Sequence, residues 1–228
     1  VPPKESFLKT LMDVIAIPDY ISFCSYCFLL TFFTTACPQI FSLIEKDVLS
    51  FTKTEIVFIG NLLIVGALAG FVLGGRMVDK LGTKYVFMFC HFGFGAIIIL
   101  FLLRSLLPGK IIVIVGILTL LFGLVQAASG IAMTSETLVL MPKENKSLAI
   151  GLWLTLINAG AGLSGIISST FLELNLINPE WSLFGLQMSS YDGLLLMFGT
   201  MVILMTVTLG LIPSMIRKTP AAWIPQST

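Results

Sequence analysis

The sequence predicts an all-α membrane protein with six transmembrane helices in one bundle, and three observations carry that prediction. Of the 228 residues, 57% are hydrophobic and only 11% are charged, against roughly 25% charged in a soluble domain. The mean hydropathy is +1.02. The apolar residues fall into six long runs, each near the ~20 residues a helix needs to cross a bilayer core. Alternating in-out strands are absent, which excludes a transmembrane barrel. The net charge of +1 excludes a nucleic-acid partner, which needs a strongly basic surface.

The elements follow in order. Val1 to Leu11 mixes Pro2, Pro3, Lys4, Glu5 and Lys9 with apolar residues and reads as an amphipathic loop. Residues 1–18 are expected to be the remnant of a cytoplasmic loop from a longer chain. A six-helix bundle is expected over 19–213, and a cytoplasmic tail over 214–228. The first run, 20–44, holds Pro38, which lacks a backbone donor and should kink its far end. The other runs are 56–75, 85–103, 111–133, 148–172 and 194–212. The connection 173–192 has no Lys or Arg and holds Pro179, Trp181 and Phe184, so it is expected to rest on the membrane interface.

Lys and Arg divide unevenly between the two sides. Lys4, Lys9, Arg76, Lys80, Lys84, Lys143, Lys146, Arg217 and Lys218 fall on one side, and only Lys46, Lys53, Arg104 and Lys110 on the other. The positive-inside rule then puts both termini in the cytoplasm, with the plasma (inner) membrane as the expected location. Cys24, Cys27, Cys37 and Cys90 all lie in apolar runs and read as small buried hydrophobes. Gly66, Gly70 and Gly74 recur every four residues, and Gly116, Gly123 and Gly130 every seven; Gly160, Gly162 and Gly165 cluster in the fifth run. Such spacings let helices approach closely.

The sharpest local signal is Gly74-Gly75-Arg76-Met77-Val78-Asp79-Lys80-Leu81-Gly82-Thr83-Lys84, between the second and third runs. Gly75 is expected to let a helix end against a neighbour, and Gly82 to make a turn few residues can make. Lys80 and Lys84 would hold the loop at an anionic membrane face. Asp79, an acid among bases, suits the positive end of a helix. The segment resembles the short-loop motif of the major facilitator superfamily, G-x-x-x-D-R/K-x-G-R/K-R/K. Gly75, Asp79, Lys80, Gly82 and Lys84 match it, and Thr83 departs from it. The resemblance implies one six-helix half of a twelve-helix carrier, its C-terminal half by position, with Asp79 in a gating latch. It also implies that Glu136, at the end of the fourth run, pairs with Arg76, Lys80 or Lys84.

At ~1.5 Å per residue, Gln126 and Asn158 fall near mid-membrane, where amides need a partner or a wet cavity. Ser129 shares a helix face with Gln126. Tyr26, Thr31 and Asn61 add polar tips on the first and second runs. These runs, with the fourth and fifth, match the cavity-lining helices of that family, which makes the six residues candidates to line a substrate cavity. The expected function is therefore secondary transport of a small solute by alternating access. Its partners would be the solute, the lipid bilayer, and a missing N-terminal half or a second copy of the chain. Two alternatives stand: a complete six-helix protein working as a homodimeric carrier, and a non-transporting membrane receptor or assembly module. An enzyme is not expected. The chain has one His, no clustered acids in a run, no H-x-x-x-H pair and no phosphate loop. No metal and no cofactor are expected.

Overall fold

A computed structural model describes residues 7–178, 180–183 and 185–211. Lys4, Pro179, Phe184, Arg217, Lys218 and the 214–228 tail lie outside the described residues.

The expected N-terminal loop is in fact a helix, α1 (Phe7–Ile15). Its apolar residues recur at helical spacing, which favours a helix at an interface over a loop. Phe7, Leu8 and Met12 stand exposed while Val14 is buried. Ile17 is extended, and Pro18 then opens α2 (Pro18–Thr34), a position where its missing N–H costs nothing. Thr35 and Ala36 interrupt the helix. α3 (Cys37–Leu43) resumes it, with Pro38 in its first turn, and runs into a π-turn over Ile44–Val48.

Next comes α4 (Lys53–Leu81), which starts in a capping box: the Glu55 N–H donates to Thr52 Oγ1 and the Thr52 N–H to Glu55 Oε2. Gly82 stops α4 at φ 83°, ψ 160°, and α5 (Thr83–Leu102) begins at the next residue. α6 (Ile111–Leu140) and α7 (Lys146–Glu173) follow. A short antiparallel hairpin, β1 (Trp181–Leu183) with β2 (Leu186–Met188), turns at Gly185 and leads into α8 (Ser190–Leu211). Within the connection expected at the interface, the Trp181 indole N–H donates to the Ser189 carbonyl at 3.0 Å.

The Gly82 conformation is one that only glycine adopts cheaply. A Cβ there would meet nothing within 4 Å, so any penalty is purely backbone. Gly82→Ala should lower stability by about 1–3 kcal/mol, read as a fall in the thermal unfolding midpoint in detergent.

Among the described residues, five helical stretches are long and apolar enough to cross a membrane: Pro18–Val48, Lys53–Leu81, Thr83–Leu102, Ile111–Leu140 and Lys146–Glu173. The sixth expected crossing corresponds to α8, 22 residues long and apolar over Ser190–Met205. The all-α expectation is met, with two three-residue strands added. Six full crossings are not established.

Contacts fix the relative directions. Gly66, Gly70 and Gly74 of α4 meet Leu120, Leu124 and Ala128 of α6 in ascending order, so these helices run parallel. A Cβ at Gly66 or Gly70 would overlap the Leu120 or Leu124 carbonyl oxygen, and one at Gly74 would lie 2.7 Å from the Ala128 Cα. Gly123 of α6 packs equally close on Leu63. α2 runs parallel to α7, through Tyr20 Oη donating to the Ala149 carbonyl (2.6 Å) and Gly160 packing on Phe28. α5 lies antiparallel to both α6 and α8, pairing Phe94 with Phe122 and Gly199 with Ile98. Aromatic rings fill the centre: Phe23, Tyr26 and Phe87 near one end, and Phe41, Phe101 and Phe122 nearer the other.

Candidate functional site

The short loop between α4 and α5 lies at the end of the bundle that carries Arg76, Lys80, Lys84, Lys143 and Lys146, the basic end. Asp79, Lys80 and Arg76 are exposed, and Lys84 and Gly82 are half-buried. Gly75 packs on nothing, since its added Cβ would meet no atom within 4 Å. The close approach expected there is made one residue earlier, by Gly74 on Ala128. A glycine pair in sequence does not tell which member faces the neighbour, because adjacent helical residues point about 100° apart.

Glu136 is fully buried, and the ion pair expected for it is replaced by another bond. Its Oε2 accepts from the Thr83 hydroxyl at the start of α5, and its Oε1 has no partner. No ion pair joins Glu136 to Arg76, Lys80 or Lys84 among the described residues. The bases sit on the outward side of α4 and α5, while Glu136 faces inward between α5 and α6. Thr83→Val removes the one donor to a buried carboxyl group and should cost about 1–3 kcal/mol. Thr83→Ser should retain stability, and urea or thermal unfolding of the two variants separates a lost bond from a lost methyl.

The six cavity candidates do not converge. Tyr26 is buried and donates to His91 Nε2, while His91 Nδ1 donates to the Phe87 carbonyl at 2.6 Å. That chain is closed inside the bundle between α2 and α5. Thr31 bonds back to the Cys27 carbonyl at 2.7 Å. Ser129 is buried with its hydroxyl unpartnered. Gln126 is half-buried, and Asn61 is exposed on α4. Asn158 is exposed on α7, its amide donating to the Leu154 carbonyl at 2.7 Å.

Two features escaped the sequence reading. At the end opposite the basic loop, Arg104 and Asp192 form an ion pair with Nη1 to Oδ1 at 2.7 Å, and their side chains are 4% and 0% exposed. Asp192 Oδ2 also accepts from the Ser189 N–H (2.9 Å) and hydroxyl (2.8 Å), and Arg104 Nη1 donates to the Phe101 carbonyl (3.0 Å). The signal available was Ser189-Ser-Tyr-Asp192 ahead of an apolar run, the spacing of a helix-start box; the Arg104 partner carries no local signal.

The second feature is the outward face of α7. Gly151, Thr155, Asn158 and Gly162 are all exposed and fall on one stripe, which Gly165 and Ser169 continue. α4 is as open as α7, yet it exposes Val57, Phe58, Ile64, Val65, Leu68, Phe71 and Val72. Bulky apolar residues suit lipid. A stripe of small and polar residues suits other helices, whose backbones can come close and hydrogen-bond across the contact.

No curated protein matches the chain. A family model described as PUCC protein matches residues 4–219. No major facilitator family model matches, which overturns the resemblance drawn from the short loop, and with it the expected role as one half of a solute carrier. The loop misled for a physical reason. A one-residue turn between two helices demands glycine at Gly82, and the positive-inside rule stocks such a loop with bases. The gating and cavity roles given to Gly75, Asp79, Lys80, Gly82, Lys84, Glu136 and the six polar candidates rested on that resemblance and gain no support from the match. Covering nearly the whole sequence, the match shows that the chain belongs to the PUCC protein family.

Proposed function

We propose that the chain is a non-transporting membrane module that serves the assembly or regulation of bacteriochlorophyll-bearing photosynthetic complexes. The observation that carries this reading is the family match over residues 4–219, to a family tied to bacteriochlorophyll photosynthesis operons. Two structural features support it. His91, the chain's one histidine, is closed off inside the bundle by Tyr26 and Phe87, so it offers no proton relay to a transport path. The α7 stripe presents the small and polar residues by which one membrane helix receives another. In this reading the module acts by binding and not by catalysis. It crosses the inner membrane six times with the basic end toward the cytoplasm, and its partners are lipid and the membrane helices of the complexes it serves.

The test is an in-frame deletion in a phototrophic host, complemented by the natural gene or by an Asn158→Leu/Gly162→Leu double variant. Membrane absorbance in the bacteriochlorophyll bands should fall severalfold in the deletion, recover with the natural gene, and recover poorly with the variant. Solute uptake by the cells should stay unchanged. Unaltered absorbance in the deletion strain would rule the reading out.

A further inference from the structure

A cavity of about 260 Å³ opens between the α2–α3 break and the far half of α7. Thr35, Ala36, Gln39, Gly165, Ser168 and Leu172 are among the residues that line it, and none of its lining residues is charged. Two serines one turn apart on α7 face this break. Ser164 accepts the Ala36 N–H at 3.2 Å and so repairs the interrupted helix. Ser168 repairs nothing. It is 6% exposed, and its hydroxyl has no partner.

Thr119 and Ser129 share that condition, but of the three only Ser168 lines this cavity. Thr31, Thr34, Thr155, Thr170 and Thr200 each donate back to the carbonyl four residues earlier. Ser169 donates to the Ile166 carbonyl. A hydroxyl that forgoes this local bond while buried carries an uncompensated desolvation cost. Across the cavity, the Gln39 amide is satisfied when its nitrogen is turned toward the Thr35 and Ala36 carbonyls, which turns its oxygen the other way.

We propose that this cavity binds a single neutral hydrocarbon chain, with an ester carbonyl or hydroxyl at its polar end bonded to the Ser168 hydroxyl. Depth agrees with chemistry. Ser168 lies about 8 Å from the end of α7 at 1.5 Å per residue, near the level where lipid polar groups begin. Ala161 and Gly165 continue the wall from there toward the membrane centre. The uncharged lining selects a neutral ligand. The volume falls below the roughly 300–1,000 Å³ of sites that hold drug-sized molecules, which suits a length of one chain and is too small for a large fused-ring ligand. An acyl chain of a glycerolipid and an esterified isoprenoid share this chemistry. The proposal does not rest on the assembly reading, because its test contains no photosynthetic complex.

The full chain, purified in detergent, is irradiated with a phosphatidylcholine carrying a diazirine in mid-chain, and the adducts are mapped by mass spectrometry. Adducts should concentrate in 35–43 and 161–172. Gly165→Leu fills the cavity, and its added Cβ meets nothing within 4 Å; it should cut those adducts at least fivefold. Gly60→Leu, on the exposed face of α4, should leave them unchanged. Ser168→Ala, which keeps the fold, should lower them by roughly 2–10-fold, the loss of one hydrogen bond. Excess dioleoylphosphatidylcholine or geranylgeranyl acetate should displace the probe, and the stronger competitor names the source. Adducts spread evenly over α4 and α7, or adducts that neither Gly165→Leu nor Ser168→Ala reduces, would overturn the proposal. So would labelling that neither competitor displaces.

Discussion

Replacing Arg104 with methionine is expected to lower the unfolding free energy by about 3–5 kcal/mol, because it strands the Asp192 carboxylate away from water. The magnitude follows from burial. Both side chains are almost inaccessible, so neither charge recovers hydration when its partner goes. Arg104 is also held against the Phe101 ring, with its Cζ 5.6 Å from the centroid, so the methionine keeps part of the packing while losing the charge. Asp192→Asn should cost a comparable amount by leaving the guanidinium unpaired. The informative variant is the double replacement Arg104→Met/Asp192→Leu. Buried ion pairs replaced by apolar side chains of similar volume are often neutral, so the double variant should regain most of the loss. It should not regain all of it, since Ser189 loses the acceptor for its N–H and hydroxyl. Thermal unfolding in detergent at fixed lipid content measures all three. A single-variant cost below about 1 kcal/mol would match a solvated surface pair and contradict the burial.

Gly70→Ala is expected to cost about 3 kcal/mol, at the top of the range for overpacking. Its Cβ would overlap the Leu124 carbonyl oxygen. A flexible side chain can move aside, but a backbone carbonyl in the middle of a helix moves only with its helix. The two axes must therefore separate, which loosens Gly66 and Gly123 as well. Gly66→Ala and Gly123→Ala should behave alike, and combining any two should cost less than the sum, since one separation serves both. Gly75→Ala, one residue beyond the seam, should be neutral or stabilising by up to about 1 kcal/mol. Thiol labelling of Cys90, which is buried on the adjacent α5, provides a second readout: its rate should rise in the Gly70 variant and stay low in the Gly75 variant.

How legible the molecule was depends on how local each feature is. The glycine seam was readable because spacing by four residues places side chains on one helix face. The Gly82 turn was readable because a motif that ends one helix and starts the next leaves little conformational choice. The α1 helix was missed because prolines and lysines at the start of the chain mask an apolar pattern that begins only at Phe7. The Glu136 partner was mistaken because the count of nearby bases says nothing about which way a helix is turned. Arg104 and Asp192 carry no mutual signal in the sequence, since 88 residues separate them and a count of charges by side says nothing about pairing. Ser168 could not be distinguished from Ser164 or Ser169 by type or spacing, because only the break at Thr35 and Ala36 assigns them different work. The functional resemblance failed for a related reason: a short motif shaped by turn geometry and membrane charge is shared by proteins with different tasks.

The parallel pairing of α4 with α6 also sets a timetable for the chain. Parallel neighbours cannot be joined by a tight turn, so α5 must be made and returned across the membrane before α6 can reach its place. At synthesis rates of ~5–20 residues per second, α6 is complete roughly 3–12 s after α4. Through that interval Gly66, Gly70 and Gly74 present an open backbone groove to the bilayer, and any other small-residue helix nearby can occupy it. The tightest contact in the finished protein is thus withheld from the growing one for that interval, and the seam is the place where misassembly during membrane insertion should begin.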